Sequence, residues 1–354
     1  MALSAFDHPI LSGLFGDPEL AGFLSKDADI AAMVAFEAEL AEAQADCGIV
    51  APEAAARIAR LAETFVPDIE GLRQGLGRDG VVAPELVRQM RGVLEGEAAR
   101  VLHLGATSQD VIDTSLVIRL KSICAILDSR IAGIAGRLDG LSERFGDRRV
   151  MARTRMQDAL PIAVADRIAD WRLPLARHQD RLKQLLPRLL VVQYGGAVGN
   201  QEKLGAEGPR VTKVLAEKLG LGFSEKSWHN QRDAVVELAD WLSLVCGSLG
   251  KIGQDIALMA QNSIGEITLA GGGGSSAMPH KSNPVAAEVL VSLARYTAGS
   301  SGTMAQSMVH ENERSGAAWT LEWLVLPQMI LATGSALLLA DRLLGSVESM
   351  GEAS

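Results

Sequence analysis

The chain has 354 residues, of which 48% are hydrophobic and only 4% aromatic, and 43 Asp and Glu residues outnumber 34 Lys and Arg residues. This length allows about two or three domains around a large core, and it excludes a disulfide-stapled miniprotein or a disordered tail. The net charge of -9, without any basic run, argues against sequence-independent nucleic-acid binding, which needs Lys and Arg against the phosphates. An anionic ligand must therefore meet a local cluster of positive charge.

Residues 1–100 are predicted to form an N-terminal domain of shorter helices. In residues 29–45, apolar residues recur among acidic ones at helical spacing. Residues 52–63 begin with a proline, which is favoured at the first position of a helix.

Residues 101–345 are predicted to form a central bundle of long helices. Two apolar stripes advance in steps of three and four residues, which is the pattern of a helical packing seam. The first stripe contains Leu116, Leu120, Ile123, Leu127, Ile131, Ile134, Leu138, Leu141 and Phe145, and the second contains Val235, Leu238, Leu242, Val245, Leu249, Ile252, Ile256 and Met259. Each seam must pack against other helices along roughly 40 Å, and the pattern leaves open whether those helices belong to the same chain. A third helix over residues 166–190 is expected to kink at Pro174.

Residues 323–340 carry no charge and approach the length of a membrane-spanning helix. The stretch contains Pro327, Gln328 and Gly334, and no other stretch in the sequence resembles it. We therefore interpret it as a buried helix of the bundle and expect no membrane partner.

The protein is expected to be cytoplasmic. Its three cysteines, Cys47, Cys124 and Cys246, are far apart and form no metal-binding or redox motif, which fits a reducing compartment. The first residues lack the basic start and the apolar run of a secretory signal.

The most informative stretch is residues 271–284, Gly-Gly-Gly-Gly-Ser-Ser-Ala-Met-Pro-His-Lys-Ser-Asn-Pro. Four glycines permit a mobile loop, and Ser275 and Ser276 supply hydroxyl groups. We predict that Asn283 caps a helix whose first residue is the proline that follows it, with Lys281 beside the free N–H groups of that helix start. Together these groups make a carboxylate site. A plain flexible linker is the other interpretation.

Residues 274–284 match the signature of the fumarase/aspartase superfamily, and residues 103–114 and 152–161 resemble its two other characteristic blocks. The resemblance implies an all-α fold with a central bundle of long helices. It also implies a homotetramer in which each active site combines the three blocks from three different subunits. The small C-terminal helical domain that is usual in the superfamily is expected to be absent or vestigial, with residues 346–354 as a tail.

Residues 105–114, 228–233 and 313–323 are similar to a branch of the superfamily that contains cycloisomerases, which close a lactone ring within a tricarboxylate diene. Where many lyases of the superfamily carry histidines, this chain has Arg155 and Asp158. A general acid for a nitrogen or hydroxyl leaving group is therefore missing. A cycloisomerase tolerates this loss, because the group that adds or leaves is the substrate's own carboxylate.

The resemblance assigns the catalytic roles. Ser276 exchanges a proton with the carbon beside a carboxylate, and Lys281 stabilises the serine alkoxide and the aci-carboxylate intermediate. His103 is a proton relay, a hydrogen-bond donor to substrate or a structural brace.

The resemblance to the cycloisomerase branch implies a small tricarboxylate as the substrate, so the site needs more carboxylate-binding groups than one lysine. Thr107 and Ser108 open the first long helix, where they either bind a carboxylate or simply cap the helix. The further candidates for substrate binding are Ser275, Asn283, Gln231, Arg155, Arg232 and Arg314. Each arginine could equally form a structural ion pair. The histidines are not spaced as metal ligands, so no metal or other cofactor is expected.

Two other functions stay open at the level of sequence. A lyase that releases fumarate from adenylosuccinate or a similar adduct is opposed by Arg155, by Asp158 and by the absence of an N-terminal Arg-Tyr phosphate-binding pair. A helical structural protein without activity is opposed by the intact serine, lysine and asparagine of the glycine-rich loop.

Overall fold

The computed structural model of the protein describes residues 4–274, 278 and 282–352. Short helices dominate the first hundred of these residues: α1 (Ser12–Phe15), α2 (Pro18–Phe23), α3 (Lys26–Asp46), α4 (Pro52–Thr64), α5 (Ile69–Asp79), α6 (Ala83–Val93) and α7 (Gly96–Val101). The later helices are α8 (Ser108–Phe145), α9 (Val164–Leu189), α10 (Gly208–Leu219), α11 (Asp233–Met259), α12 (Val285–Ala305) and α13 (Gly316–Gly345).

Helices α8, α9, α11, α12 and α13 pack side by side as a bundle. Both predicted seams lie in its core. In α11 all eight seam residues are buried, and in α8 only Leu116 is partly exposed. Helix α9 continues through Pro174 and Pro187. The two predicted packing seams are therefore confirmed, and they find much of their packing within this chain.

Helix α13 contains the uncharged stretch at residues 323–340. By length and hydropathy it is the one helix in the described parts of the chain that could span a bilayer, but 61% of its most apolar window is buried in the fold. Its small residues Ala332, Gly334 and Ala336 allow close packing, and a side chain at Gly334 would collide with Asp17 and Leu20. The helix is a core element of the bundle, as the sequence predicts.

A second core lies beside the bundle. It is built from buried residues of α3, α4, α5 and α6, together with Val111 at the start of α8 and Val211 and Leu215 of α10. The segment that leads into α10 contributes Val192 and Tyr194 to the same core. The N-terminal helices are thus joined to the beginning of α8 by apolar packing.

Three short ribbons, which the sequence pattern does not predict, complete the described structure. Strand β1 (Arg149–Thr154) pairs with β2 (Gln157–Ala163), β3 (Ile267–Leu269) with β6 (Val347–Met350), and β4 (Gly273–Gly274) with β5 (Ser282–Asn283). Residues 347–350, expected to belong to a tail, are thus an ordered strand.

The bundle has two ends, which carry different parts of the sequence. We call the end at which α8, α11 and α13 begin the proximal end, and the opposite end the distal end. The three ribbons lie at the distal end, where the carboxylate of Glu266 accepts hydrogen bonds from Met151 N–H and Arg153. The 38 residues of α8 rise about 57 Å between the two ends.

An internal ion pair fixes the proximal end. Arg232, which is only 1% exposed, donates to Asp113 of α8 (2.7 Å) and to Glu322 of α13 (2.8 Å), and it stacks on the ring of Trp228. Burial acts to lower the pKa of Arg232, but the two carboxylates outweigh this effect and raise it, so the guanidinium stays charged. Of the two roles that the sequence left open for Arg232, the structure places it in the structural ion pair.

We expect Arg232→Met to lower the free energy of unfolding by about 3–5 kcal/mol, because it leaves two carboxylates buried without their cation. The measurement is denaturant unfolding at one fixed protein concentration, since association also contributes to stability. Arg137→Ala is the control, because the Arg137–Asp341 pair is about half exposed and should contribute less than about 1 kcal/mol. Equal losses in both variants would contradict the assignment.

Candidate active site

A buried carboxylate organises the start of α8. Asp110, which is fully buried, accepts hydrogen bonds from the backbone N–H groups of Thr107, Gly195 and Gly196, each at 2.9 Å. His229 Nε2 lies 2.8 Å from the Asp110 carboxylate. Asp110 thereby ties the beginning of α8 to the glycine-containing loop after Tyr194 and to the loop before α11.

The same region needs two glycines. Gly105 has a φ of +75°, and a Cβ atom there would lie 2.8 Å from the hydroxyl oxygen of Tyr194. Gly196 has a φ of +70°, and its Cβ would lie 2.7 Å from the carbonyl oxygen of Gly105. Both positions favour glycine by backbone conformation and by space. The two loops can approach closely only because neither residue carries a side chain.

Arg314 brings a positive charge to the first turn of α8. Its guanidinium donates to Gln109 Oε1 (2.9 Å) and to the carbonyl oxygen of Ala197 (3.2 Å), and it lies 3.4 Å from Thr107 Oγ1. Within the described ranges, no carboxylate lies within 4.0 Å of this guanidinium. A charge without a counterion, next to a helix N-terminus, is the arrangement that binds an anion.

His103 lies in the loop just before α8, in contact with α3. Its Nδ1 is 2.6 Å from Oε1 of Glu37, and its backbone has a positive φ of 63°. Burial acts to lower the pKa of His103, but the charge and the hydrogen bond of Glu37, assisted by Asp110, outweigh burial and raise it. The imidazole is thus held in place and favoured as a cation.

The distal end carries residues 152–161, which form most of the β1–β2 hairpin. Arg155 and Met156 occupy its turn, with φ values of 51° and 66°. Two successive residues of positive φ form the kind of turn that usually contains Asn-Gly. Met156 is 72% exposed, so the hairpin presents its tip to the outside of this chain. Asp158 faces Arg153, with 2.9 Å between Oδ1 and Nε.

The predicted helix cap at Asn283 is wrong by one residue. Helix α12 begins at Val285, Pro284 occupies the cap position, and Asn283 lies in β5, where it pairs with Gly273. The physical reason is that this strand pairing closes the base of the glycine-rich loop and holds Asn283 in extended backbone. Ser275, Ser276 and Lys281 lie outside the described residues.

The structure brings together one part of the predicted site and separates the other. The proximal end holds His103, Thr107, Ser108, Gln231 and Arg314. Gln231 donates to the carbonyl oxygen of Ser227 (3.2 Å), and its side chain is exposed. The distal end holds Arg155 and Asn283. Within this chain, the length of the bundle keeps these two groups of residues apart; we call them the proximal and the distal half-site.

Sequence reasoning missed Asp110, Glu37 and His229. Asp110 had a usable signal, because Thr107-Ser-Gln-Asp110 resembles the capping-box pattern at a helix start. No sequence signal points to Glu37, since 66 residues separate it from His103. In the described residues, no group of three or more His, Cys, Asp or Glu side chains could hold a metal ion.

The profile of the lyase family matches residues 8–299. The chain belongs to this family, the fumarase/aspartase superfamily that its three sequence blocks resemble. It is 41% identical to the 3-carboxy-cis,cis-muconate cycloisomerase of Pseudomonas aeruginosa, over 89% of this chain and 70% of that protein. The cycloisomerase of the same name from Acinetobacter baylyi is 36% identical, over 93% of this chain and 74% of that one.

A solved structure shows the same fold. The 3-carboxy-cis,cis-muconate lactonizing enzyme from Pseudomonas putida superposes with a TM-score of 0.90 at 36% identity, over 97% of this chain and 77% of that one. The predicted superfamily and the predicted all-α, long-helix bundle are therefore confirmed.

We expect Asp110→Asn to destabilise the protein by about 2–4 kcal/mol, because a neutral amide cannot accept from two neighbouring glycine N–H groups and hold His229 as well. Thermal or denaturant unfolding measures the loss. Asp139→Asn removes a carboxylate from a partly exposed pair with Arg172 and should cost less than about 1 kcal/mol. If the two variants unfold alike, Asp110 does not organise the start of α8.

Proposed function

We propose that the protein catalyses the cyclisation of 3-carboxy-cis,cis-muconate to 4-carboxymuconolactone. Its family membership and its relatives at 36–41% identity support this reaction. The observation that carries the proposal is Arg314, a guanidinium without a carboxylate partner in the described ranges, at the first turn of α8. In a chain of net charge -9, such a group marks the place for an anionic substrate.

The distal hairpin distinguishes cyclisation from amine-releasing lyase chemistry. An amine or hydroxyl leaving group must be protonated as it departs, which requires a general acid. The hairpin, residues 149–163, contains no histidine for this role: it has Arg155 and Asp158, and Asp158 is paired with Arg153. Cyclisation needs no such acid, because a carboxylate of the substrate is itself the nucleophile.

The proposed reaction breaks one C=C π bond of the substrate and the O–H bond of Ser276, and it forms one C–O bond and one C–H bond; water then returns a proton to the serine. A substrate carboxylate oxygen attacks the conjugated double bond, and the electron pair moves towards a second carboxylate to give an aci-carboxylate. Ser276 then donates a proton to the carbon beside that carboxylate, and Lys281 with the start of α12 stabilises the negative charge. Thr107, Ser108 and Arg314 hold another carboxylate, which keeps the nucleophile in a near-attack position.

We propose that the protein works without a metal or other cofactor, and in the cytoplasm. The reaction is an intramolecular addition with no redox change and no group to transfer, so positioned charges and one proton carrier suffice. Cys47, Cys124 and Cys246 are free thiols, in keeping with a reducing compartment.

We propose that the active site forms between subunits of a homotetramer. The half-sites of one chain are about 57 Å apart along α8, so a complete site needs the proximal end of one subunit and the distal ends of others. The long helices expose leucines that support such packing: Leu173 of α9, Leu244 of α11 and Leu324 of α13 are 53%, 48% and 68% exposed. A bundle of long helices from several subunits would bury them.

The substrate can be tested directly. We expect the protein to remove the ultraviolet absorbance of 3-carboxy-cis,cis-muconate and to leave adenylosuccinate unchanged, because the latter needs an acid for its amine. Ser276→Ala should lower the rate by about 10²–10⁴-fold, the usual contribution of a proton carrier, without changing the circular dichroism spectrum. Turnover of adenylosuccinate alone would favour the lyase, and inactivity towards both substrates would favour a structural role.

Shared sites can be tested by mixing inactive variants. Arg314→Gln should lower kcat/KM by about 10–100-fold, because it removes one charge-assisted contact. When it is unfolded and refolded with an equal amount of Ser276→Ala, we expect about a quarter of the wild-type rate at low substrate concentration, because hybrid tetramers contain intact sites. Each variant refolded alone is the control. A mixture no more active than the mean of its components would place both residues in one subunit's site.

A further inference from the structure

Glu37 is a buried acid whose role the proposed reaction has not yet explained. Its side chain is 0% exposed, and Oε1 lies 2.6 Å from Nδ1 of His103. Among the described residues, its other oxygen, Oε2, is buried without a hydrogen-bond partner. Burying a carboxylate costs several kcal/mol unless it is paired, so its imidazole partner has to be a strong one.

Glu37 is a charged residue among mostly apolar buried residues of α3. The buried residues around Glu37 are mostly apolar, among them Met33, Phe36 and Leu40. Two turns later Gln44 faces the same loop and donates to the carbonyl oxygen of Leu104 (2.7 Å). Gln44 braces the loop with a neutral group, whereas Glu37 adds a charge that bracing alone does not require.

We propose that Glu37 is a positioning residue for the cyclisation: its carboxylate fixes the ring of His103 and holds it as a cation at the proximal half-site. This inference rests on the proposed function. With Nδ1 engaged by Glu37, Nε2 is the ring nitrogen left to donate to a substrate carboxylate. The side chain of His103 is 17% exposed, which gives a ligand access to one edge of the ring.

The surrounding charges agree with a cationic ring. Glu37 of α3 and Asp110 of α8 raise the pKa of His103, while burial and Arg91 of α6 lower it, and the outcome is a raised pKa. Tyr194, whose own pKa is raised mainly by burial, is neutral and adds no charge. His103 together with Arg314 would then give the proximal half-site two positive charges for a substrate with three carboxylates.

The first experiment needs no substrate. Histidine labelled with ¹³C at Cε1 is titrated by NMR in the whole protein, and the His103 signal is assigned from its absence in His103→Gln. We expect a pKa above the ordinary histidine value in the wild type and a lower one in Glu37→Gln. A wild-type pKa at or below the ordinary value would overturn the proposal, whatever the outcome for Glu37→Gln.

The second experiment follows kcat/KM for 3-carboxy-cis,cis-muconate against pH. Because the cation is the active form, activity falls as the pH rises through the pKa of His103. In Glu37→Gln this fall should move to lower pH, with a loss on the basic side of about tenfold for each unit by which the pKa falls. Glu37→Asp, which keeps the charge, should recover part of the shift.

Gln44→Leu is the matched control, since it removes a brace of the same loop without removing a charge. We expect it to lower the rate equally at all pH values and to leave the pKa of His103 unchanged. Coincident pH profiles for Glu37→Gln and Gln44→Leu would reduce Glu37 to a structural brace and overturn the inference. A wild-type protein that never turns over the substrate, but whose His103 titrates as expected, would contradict the proposed function instead.

Discussion

An unbroken α8 is the constraint from which the organisation of this molecule follows. A helix of 38 residues whose seam is buried along almost its full length cannot bend its ends together. One end carries Arg314 and the start of α8, and the other carries the hairpin and the base of the glycine-rich loop. The proposed site needs both groups, so in our proposal a single chain is incomplete and catalysis requires association of subunits.

The distribution of charge explains why the two arginines at the proximal end behave differently. Arg232 is enclosed by Asp113 and Glu322 and serves to hold α8, α11 and α13 in register. Among the described residues, Arg314 meets a neutral amide, a hydroxyl and a carbonyl oxygen, dipoles that solvate its charge without cancelling it. A protein with an excess of acidic residues needs to keep carboxylates away from Arg314, because any nearby carboxylate would compete with the substrate for its guanidinium.

The sequence could predict what depends on local periodicity and on motif. The seams of α8 and α11 follow from spacing alone, and Thr107 marks a helix start by its residue type. The core position of α13 follows from composition, because its uncharged stretch contains proline, glycine and polar residues. Asp110, Glu37 and the pairing of Arg232 depend on residues far apart in the chain, which no spacing reveals. The cap at Asn283 failed for another reason: residue preference at a helix start was overridden by strand pairing with Gly273. The helix start at Thr107 thus follows from sequence pattern, whereas the contacts of Asp110, Glu37 and Arg232 are seen only in the folded structure.

The turn of the distal hairpin has a consequence for stability. Arg155 and Met156 both adopt a backbone conformation that costs ordinary L-residues about 1–2 kcal/mol each. Replacing them by Asn-Gly would relieve that cost and yield a sturdier ribbon, yet the tip would lose its guanidinium and its thioether. The exposed tip thus carries a cationic side chain on a turn that is less stable than a hairpin of this length allows.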